Sequence, residues 1–153
     1  MTAGLTRGVR LGVDVGSVRV GLAVSDPDGI LATPLETVPR AVTTDRDGHT
    51  SDMLRIAQLV RDLDVVQVVV GLPLTLAGKE AQAAAVSRQY AADLARIIDP
   101  TPVALADERM STAAATRRLS ERGVRGRRQR AVIDQAAAVE ILQGWLDARR
   151  RMA

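Results

Sequence analysis

Asp14 stands inside an alternating apolar run, residues 9–26 (VRLGVDVGSVRVGLAVSD), with Val13 and Val15 on either side. An ionised carboxylate in such a strand is costly unless a cation or several hydrogen-bond donors meet it. Two more acids, Asp107 and Glu108, close the short apolar run 103–106 (VALA). A fourth, Asp134, lies among Val132, Ile133, Ala136 and Ala137; spacings of four and seven put it on one helix face with Ala138 and Ile141. Carboxylates brought together repel one another unless cations neutralise them. Sites that cut phosphodiesters use such clusters to hold two hard cations, roughly 3.5–4 Å apart. One cation activates a water and the other steadies the leaving 3′ oxygen. Arg122, Arg125, Arg127, Arg128 and Arg130 come just before Asp134, and guanidinium forks bind phosphate bidentately. Acids and arginines together predict metal-assisted cleavage of a nucleic-acid backbone, read by its shape rather than its sequence. The plainer alternatives are an Asp14 that caps a turn, an Asp134 that complements a helix dipole and arginines on a solvated linker. Arg149, Arg150 and Arg151 read as a charged tail with no fixed role, and His49 in its polar loop as non-catalytic.

Composition narrows the chemistry. There is no Cys, so thiolate catalysis, disulfides and zinc fingers are excluded, and His49 is the sole His. A metal site must therefore use oxygen ligands, which suits Mg²⁺ or Mn²⁺, here as a pair of ions. Tyr90 and Trp145 are the only aromatics, which disfavours a platform for stacking single-stranded bases. The core must be aliphatic. The net charge of +3 is modest, and its distribution says more than its size. No apolar segment reaches signal or membrane-spanning length, so the chain reads as a soluble, cytoplasmic protein with no membrane partner. Its 153 residues suit one domain over 1–153, with 1–7 and 149–153 as flexible ends.

The elements that must position these groups follow from periodicity. Strands are predicted at 9–15, 19–25 and 30–38, the last irregular or at an edge because of Pro34. A polar loop, 39–51, leads to a helix over 52–63 capped by Ser51. The run 65–70 (VVQVVV) reads as a strand covered on both faces. Residues 71–78 read as a loop, 80–98 as a helix and 103–106 as a strand. A helix capped by Ser111 or Thr112 runs to Arg122, then a basic linker over 123–130, then a helix over 131–148. Three antiparallel strands followed by strand–helix alternation predict an α/β fold: a five-stranded mixed sheet with parallel additions, flanked by helices.

Four stretches carry a family resemblance: VDVGSVRVGLAVSD at 13–26, VVVGLPLTLAGKE at 68–80, ADERMST at 106–112 and VIDQAAAVEILQGWLD at 132–147. In this order and spacing the chain resembles the YqgF/RuvX family of ribonuclease H-like proteins, described as Holliday junction resolvases or as nucleases that process the 5′ end of pre-16S rRNA. The resemblance implies that Asp14, Glu108 and Asp134 are the acidic triad and metal ligands, with Asp107 a near neighbour. It implies that Arg19 and Arg109 are basic positions facing substrate, and that Gly71 and Gly78 belong to a central loop. Val18 departs from the family's usual basic residue, and the stretch 40–51 is longer than usual; both bear on substrate contacts.

The resulting expectation is hydrolysis of structured nucleic acid, pre-16S rRNA first and a branched DNA junction second. A junction resolvase would work as a symmetric homodimer. Two other classes compete. The first hairpin also resembles a phosphate loop of the actin-like ATPases and sugar kinases, which need two related domains. A non-catalytic RNA- or ribosome-associated module would use only the arginines.

Overall fold

The computed structural model describes residues 6–41, 44–74, 82–110 and 127–152, with side chains omitted at 110 and 127–132. Strands β1 (Arg10–Val15), β2 (Arg19–Ser25) and β3 (Ala32–Pro39) form an antiparallel meander. Helix α1 (Ser51–Asp62) follows, then β4 (Gln67–Leu72), helix α2 (Gln82–Ile98), β5 (Val103–Asp107), a 3₁₀ turn at Glu108–Met110 and the long helix α3 (Arg127–Arg151). The sheet order is β3-β2-β1-β4-β5, with β4 parallel to both β1 and β5. This is the predicted five-stranded mixed sheet.

Alternation divides the sheet between two cores. Leu11, Val13, Val20, Leu22, Val68 and Val70 face α1 and α2, where they meet Met53, Ile56, Leu59, Tyr90 and Leu94. The opposite face is lined by small residues. A Cβ at Gly12 would lie 2.8 Å from Leu142 Cβ and 3.0 Å from the Ala138 carbonyl oxygen, while Ala23 and Ala106 pack with Ala138, Ile141 and Leu142. With so little side chain between them, α3 lies directly on the strands.

The structure corrects several boundaries. Thr50, not Ser51, is the N-cap of α1, and its side chain makes no capping bond; Ser51 is already helical. The fourth strand starts at Gln67, because Asp64 turns the chain with φ 51° and Val65 still bonds back to the Val60 carbonyl. It also extends through Gly71 and Leu72, which pair with Ala106 and Asp107 instead of opening a loop. The last helix begins at Arg127 rather than 131, so residues 127–130 are helical and not linker. Arg149–Arg151 form its last turn: Arg149 stacks over Trp145 at 4.9 Å, and Arg150 bonds Asp147 and the Gly29 carbonyl. Pro34 behaves as predicted, on edge strand β3 beside a bulge where Leu22 pairs with Glu36 and Ala23 with Pro34. The helix predicted to end at Arg122 lies outside the described residues, as does Gly78. Among the described residues no helix is long and apolar enough to cross a membrane.

One buried polar contact ties α1 to α2. Asp52 is 1% exposed, and its Oδ2 accepts a 2.8 Å bond from the Tyr90 hydroxyl. Burial, then this carboxylate, push the Tyr90 phenol far above its usual range. The other oxygen, Oδ1, has no hydrogen-bond partner among the described residues. Tyr90→Phe therefore removes the carboxylate's side-chain donor and should cost about 1–3 kcal/mol, seen as a lower urea midpoint at unchanged slope.

Candidate active site

The parallel strands β1, β4 and β5 end at the same edge of the sheet, and the acids gather there. Asp14 lies one residue beyond the last β1–β4 pair, Val13 with Val70, which puts it level with Gly71. Gly71 pairs with Ala106, and Glu108 follows two residues later on the same face. A Cβ at Gly71 would stand 3.2 Å from Glu108 Oε1 and 2.5 Å from Ile141 Cδ1, so the glycine leaves the space that the carboxylate uses. Across the hairpin Asp14 pairs with Gly21. A Cβ there would lie 2.1 Å from the Asp134 carbonyl oxygen and 3.3 Å from Asp134 Cβ. Helix α3 thus rests its backbone at Asp134 on the glycine opposite Asp14. Asp14 is 3% exposed and Glu108 2%, whereas the Asp134 side chain keeps 17%.

Asp14, Glu108 and Asp134 are consequently drawn from three elements to one end and one face of the sheet. Their carboxylate oxygens do not all fall within 4.8 Å of one another; among the described residues, the group of three metal-binding side chains that does is Asp45, Asp47 and His49. That cluster lies in the polar loop before α1, where Asp45 Oδ1 accepts the amides of Asp47 and His49. The donors are all oxygen, the ligand class that hard divalent cations take. The residues fit a divalent metal on these grounds.

Asp134 is not at a helix start, as the shorter predicted helix had it; it is two turns inside α3 and too far in to serve the dipole. Ala138 and Ile141, on its predicted face, are buried at 0% and 2%. Both hairpin-side and strand-end arginines are engaged with acids. Arg19 Nε donates to Asp134 Oδ2 at 2.7 Å. Arg109 grips both oxygens of Asp107, through Nε at 3.1 and 3.0 Å and Nη2 at 2.6 Å. Arg125 lies outside the described residues, and the side chains of Arg127, Arg128 and Arg130 are likewise not described; α3 carries their backbone two turns or less before Asp134.

The bond from Arg109 holds the Asp107 carboxyl below the usual carboxylate range, and the Arg109 amide adds to this. A depressed folded value means stability that is present above the unfolded value, about 3.9, and is lost as pH falls through the folded one. Arg109→Gln should bring the Asp107 titration, followed by carboxyl-carbon NMR, back up towards about 3.9. Both side chains are partly exposed, so the effect on stability is small.

Sequence reasoning missed Gly21 and Gly12. The available signal was that Gly12, Gly21 and Ala23 share the Asp14 face of β1 and β2, a pattern that marks close approach by another backbone.

The sheet order and the long helix laid across the acid-bearing face define a ribonuclease H-like α/β protein. RuvC of Thermus thermophilus, solved in complex with a Holliday junction substrate, shares this fold with a TM-score of 0.54 at 16% identity, over 95% of this chain and 98% of its own. A family model described as RuvX, Holliday junction resolvase, matches residues 8–148. A Rhodococcus opacus protein is 57% identical over 145 residues, 95% of this chain and 80% of that relative. A protein of Mycobacterium sp. strain KMS is 58% identical over 144 residues, 94% of this chain and 82% of its own length. Both relatives are provisionally named pre-16S rRNA nuclease. The chain belongs to the RuvX family.

Proposed function

We propose that this protein is a divalent-metal-dependent nuclease of structured nucleic acid, acting in the cytoplasm to process the 5′ end of pre-16S rRNA. The observation that carries this reading is the convergence of Asp14, Glu108 and Asp134 on one end of the sheet, with glycines 21 and 71 cut away to admit two of them. In this reading those three acids hold Mg²⁺ or Mn²⁺, as a pair of ions. Bound there, the ions supply an activated water and charge stabilisation at the leaving oxygen. Asp14, from the rigid centre of the sheet, sets the position of the site. Glu108 approaches from the 3₁₀ turn after β5 and Asp134 from α3, so the three ligands are fixed by three separately anchored elements. Arg19, Arg109 and the arginines 125, 127, 128 and 130 hold the flanking phosphates, which needs no contact with base edges.

The names of the relatives favour precursor rRNA. The family description favours a four-way DNA junction as the second reading, and that substrate would call for a two-fold dimer. A cleavage panel decides: precursor 16S rRNA, a four-way junction and single strands, at one ionic strength with Mg²⁺ or Mn²⁺. The expected result is metal-dependent cut ends on the precursor. Salt-sensitive binding to RNA with no turnover in either metal would instead make the chain a binding module.

A further inference from the structure

The contact that stands out at this site is between a cation and one of the acids assigned to metal. Arg19 lies at the start of β2, where the Gly16 amide bonds its carbonyl, and its Nε reaches Asp134 Oδ2 at 2.7 Å. The contact is a single bond to one oxygen. Among the described residues the two Nη groups of Arg19 bond nothing further, and Asp134 Oδ1 accepts no hydrogen bond. Two other pairs are forked: Arg55 takes both oxygens of Glu36 at 2.7 and 2.8 Å, and Arg109 takes both of Asp107. Forked pairs of that kind resist separation, whereas a one-point pair gives way more readily. The Arg19 side chain is 26% exposed, so the guanidinium has a way out to solvent, and a cation that takes its place keeps the largely buried Asp134 carboxylate, 17% exposed, compensated.

We infer that Arg19 is the resident counter-ion of Asp134: it occupies the carboxylate when no metal is bound, a divalent cation must take Oδ2 from it, and the released guanidinium is then free for a substrate phosphate. This rests on the assignment of Asp14 and Asp134 as metal ligands. The coupling has a physical purpose. Carboxylates that converge on one place repel one another, and a positive group tethered on β2 holds Asp134 in place while the site waits. The same group then carries its charge to the phosphate that arrives with the metal, where a forked guanidinium binds well. Arg19 is thus a positioning residue for Asp134 and a phosphate ligand in turn.

Two measurements test this without relying on turnover. In the first, Mg²⁺ is titrated into the wild-type chain while the Arg19 Nε–H resonance is followed by NMR. The signal should shift and lose its slow exchange with solvent as the bond to Asp134 opens; an Arg19 resonance unmoved at saturating Mg²⁺ overturns the inference. In the second, Mn²⁺ affinity is measured by calorimetry. Arg19→Gln should bind Mn²⁺ about fivefold more tightly, the scale of one partly exposed ion pair. The gain should vanish on an Asp134→Asn background, because the competition is for that carboxylate. An unchanged or weaker affinity for Arg19→Gln, with Asp14→Asn still abolishing Mn²⁺ binding, rejects the counter-ion role and leaves the metal assignment standing. Binding that survives Asp14→Asn rejects the metal assignment itself.

Discussion

Asp14→Asn should remove the proposed metal-dependent cleavage and leave the sheet folded. The side chain is 3% exposed, in the central strand of the sheet, and it is level with Gly21 on one side and Gly71 on the other. Asn has the same shape and can keep a neutral hydrogen bond, so the packing of β1 changes little. What it loses is the negative charge, which a hard cation requires of its ligands. Loss of one element that stabilises transition-state charge typically costs about 10²–10³-fold in rate, and a ligand that organises the metal should reach the upper end. The measurement is initial cleavage rate at saturating Mn²⁺, beside a thermal unfolding curve. Stability should hold or rise, since one member of an acidic cluster has been neutralised. Wild-type rates in this variant would remove Asp14 from the chemistry and the nuclease reading with it.

Gly21→Ala is the second large effect, and it acts through shape. The new methyl would stand 2.1 Å from the Asp134 carbonyl oxygen and 2.6 Å from its carbonyl carbon. Both are helix backbone, so no side chain can swing aside. Helix α3 must lift from β2, which overpacking at this scale makes worth about 1–3 kcal/mol of stability. The lift also carries Asp134 away from Asp14, and a misplacement on the order of 1 Å can cost about 10²-fold in rate. Gly12→Ala should be milder, because its clash is with Leu142 Cβ at 2.8 Å and the Ala138 oxygen at 3.0 Å, further from the acids. Gly71→Ala should be milder still in stability, since the nearest atom is the flexible end of Ile141. Chemical denaturation ranks the three, and the ratio of lost rate to lost stability should be greatest for Gly21. A Gly21→Ala protein with normal stability would show that α3 does not rest where the structure has it.

Much of this was legible without coordinates. Alternation in residues 9–26 marked the first hairpin, and the apolar run around Val68–Val70 marked a strand covered on both faces; burial of Leu11, Val13, Val68 and Val70 at 0% agrees. Such patterns are local, because a side chain's face is set by the period of its own strand or helix. The acid in β1 announced itself for the same reason: its neighbours on either side are core residues, so its own setting had to be unusual. Element ends were less legible. Gly71 and Leu72 looked like a loop from their composition, yet β5 offers them partners and the strand continues. The arginines at 127–130 looked like linker, yet they begin the helix that carries Asp134.

The chain alone, then, determined the element types, the oxygen-only donor set and which acids were out of place, because these depend on residue identity and short-range period. Only the tertiary structure decided that Asp134 meets Arg19 across 115 positions, that Gly21 and Gly71 are the room the acids need, and that Arg109 pairs with Asp107. Those facts depend on how closely two backbones approach, and that distance is set by the summed bulk of side chains from several strands, which no single stretch of sequence contains.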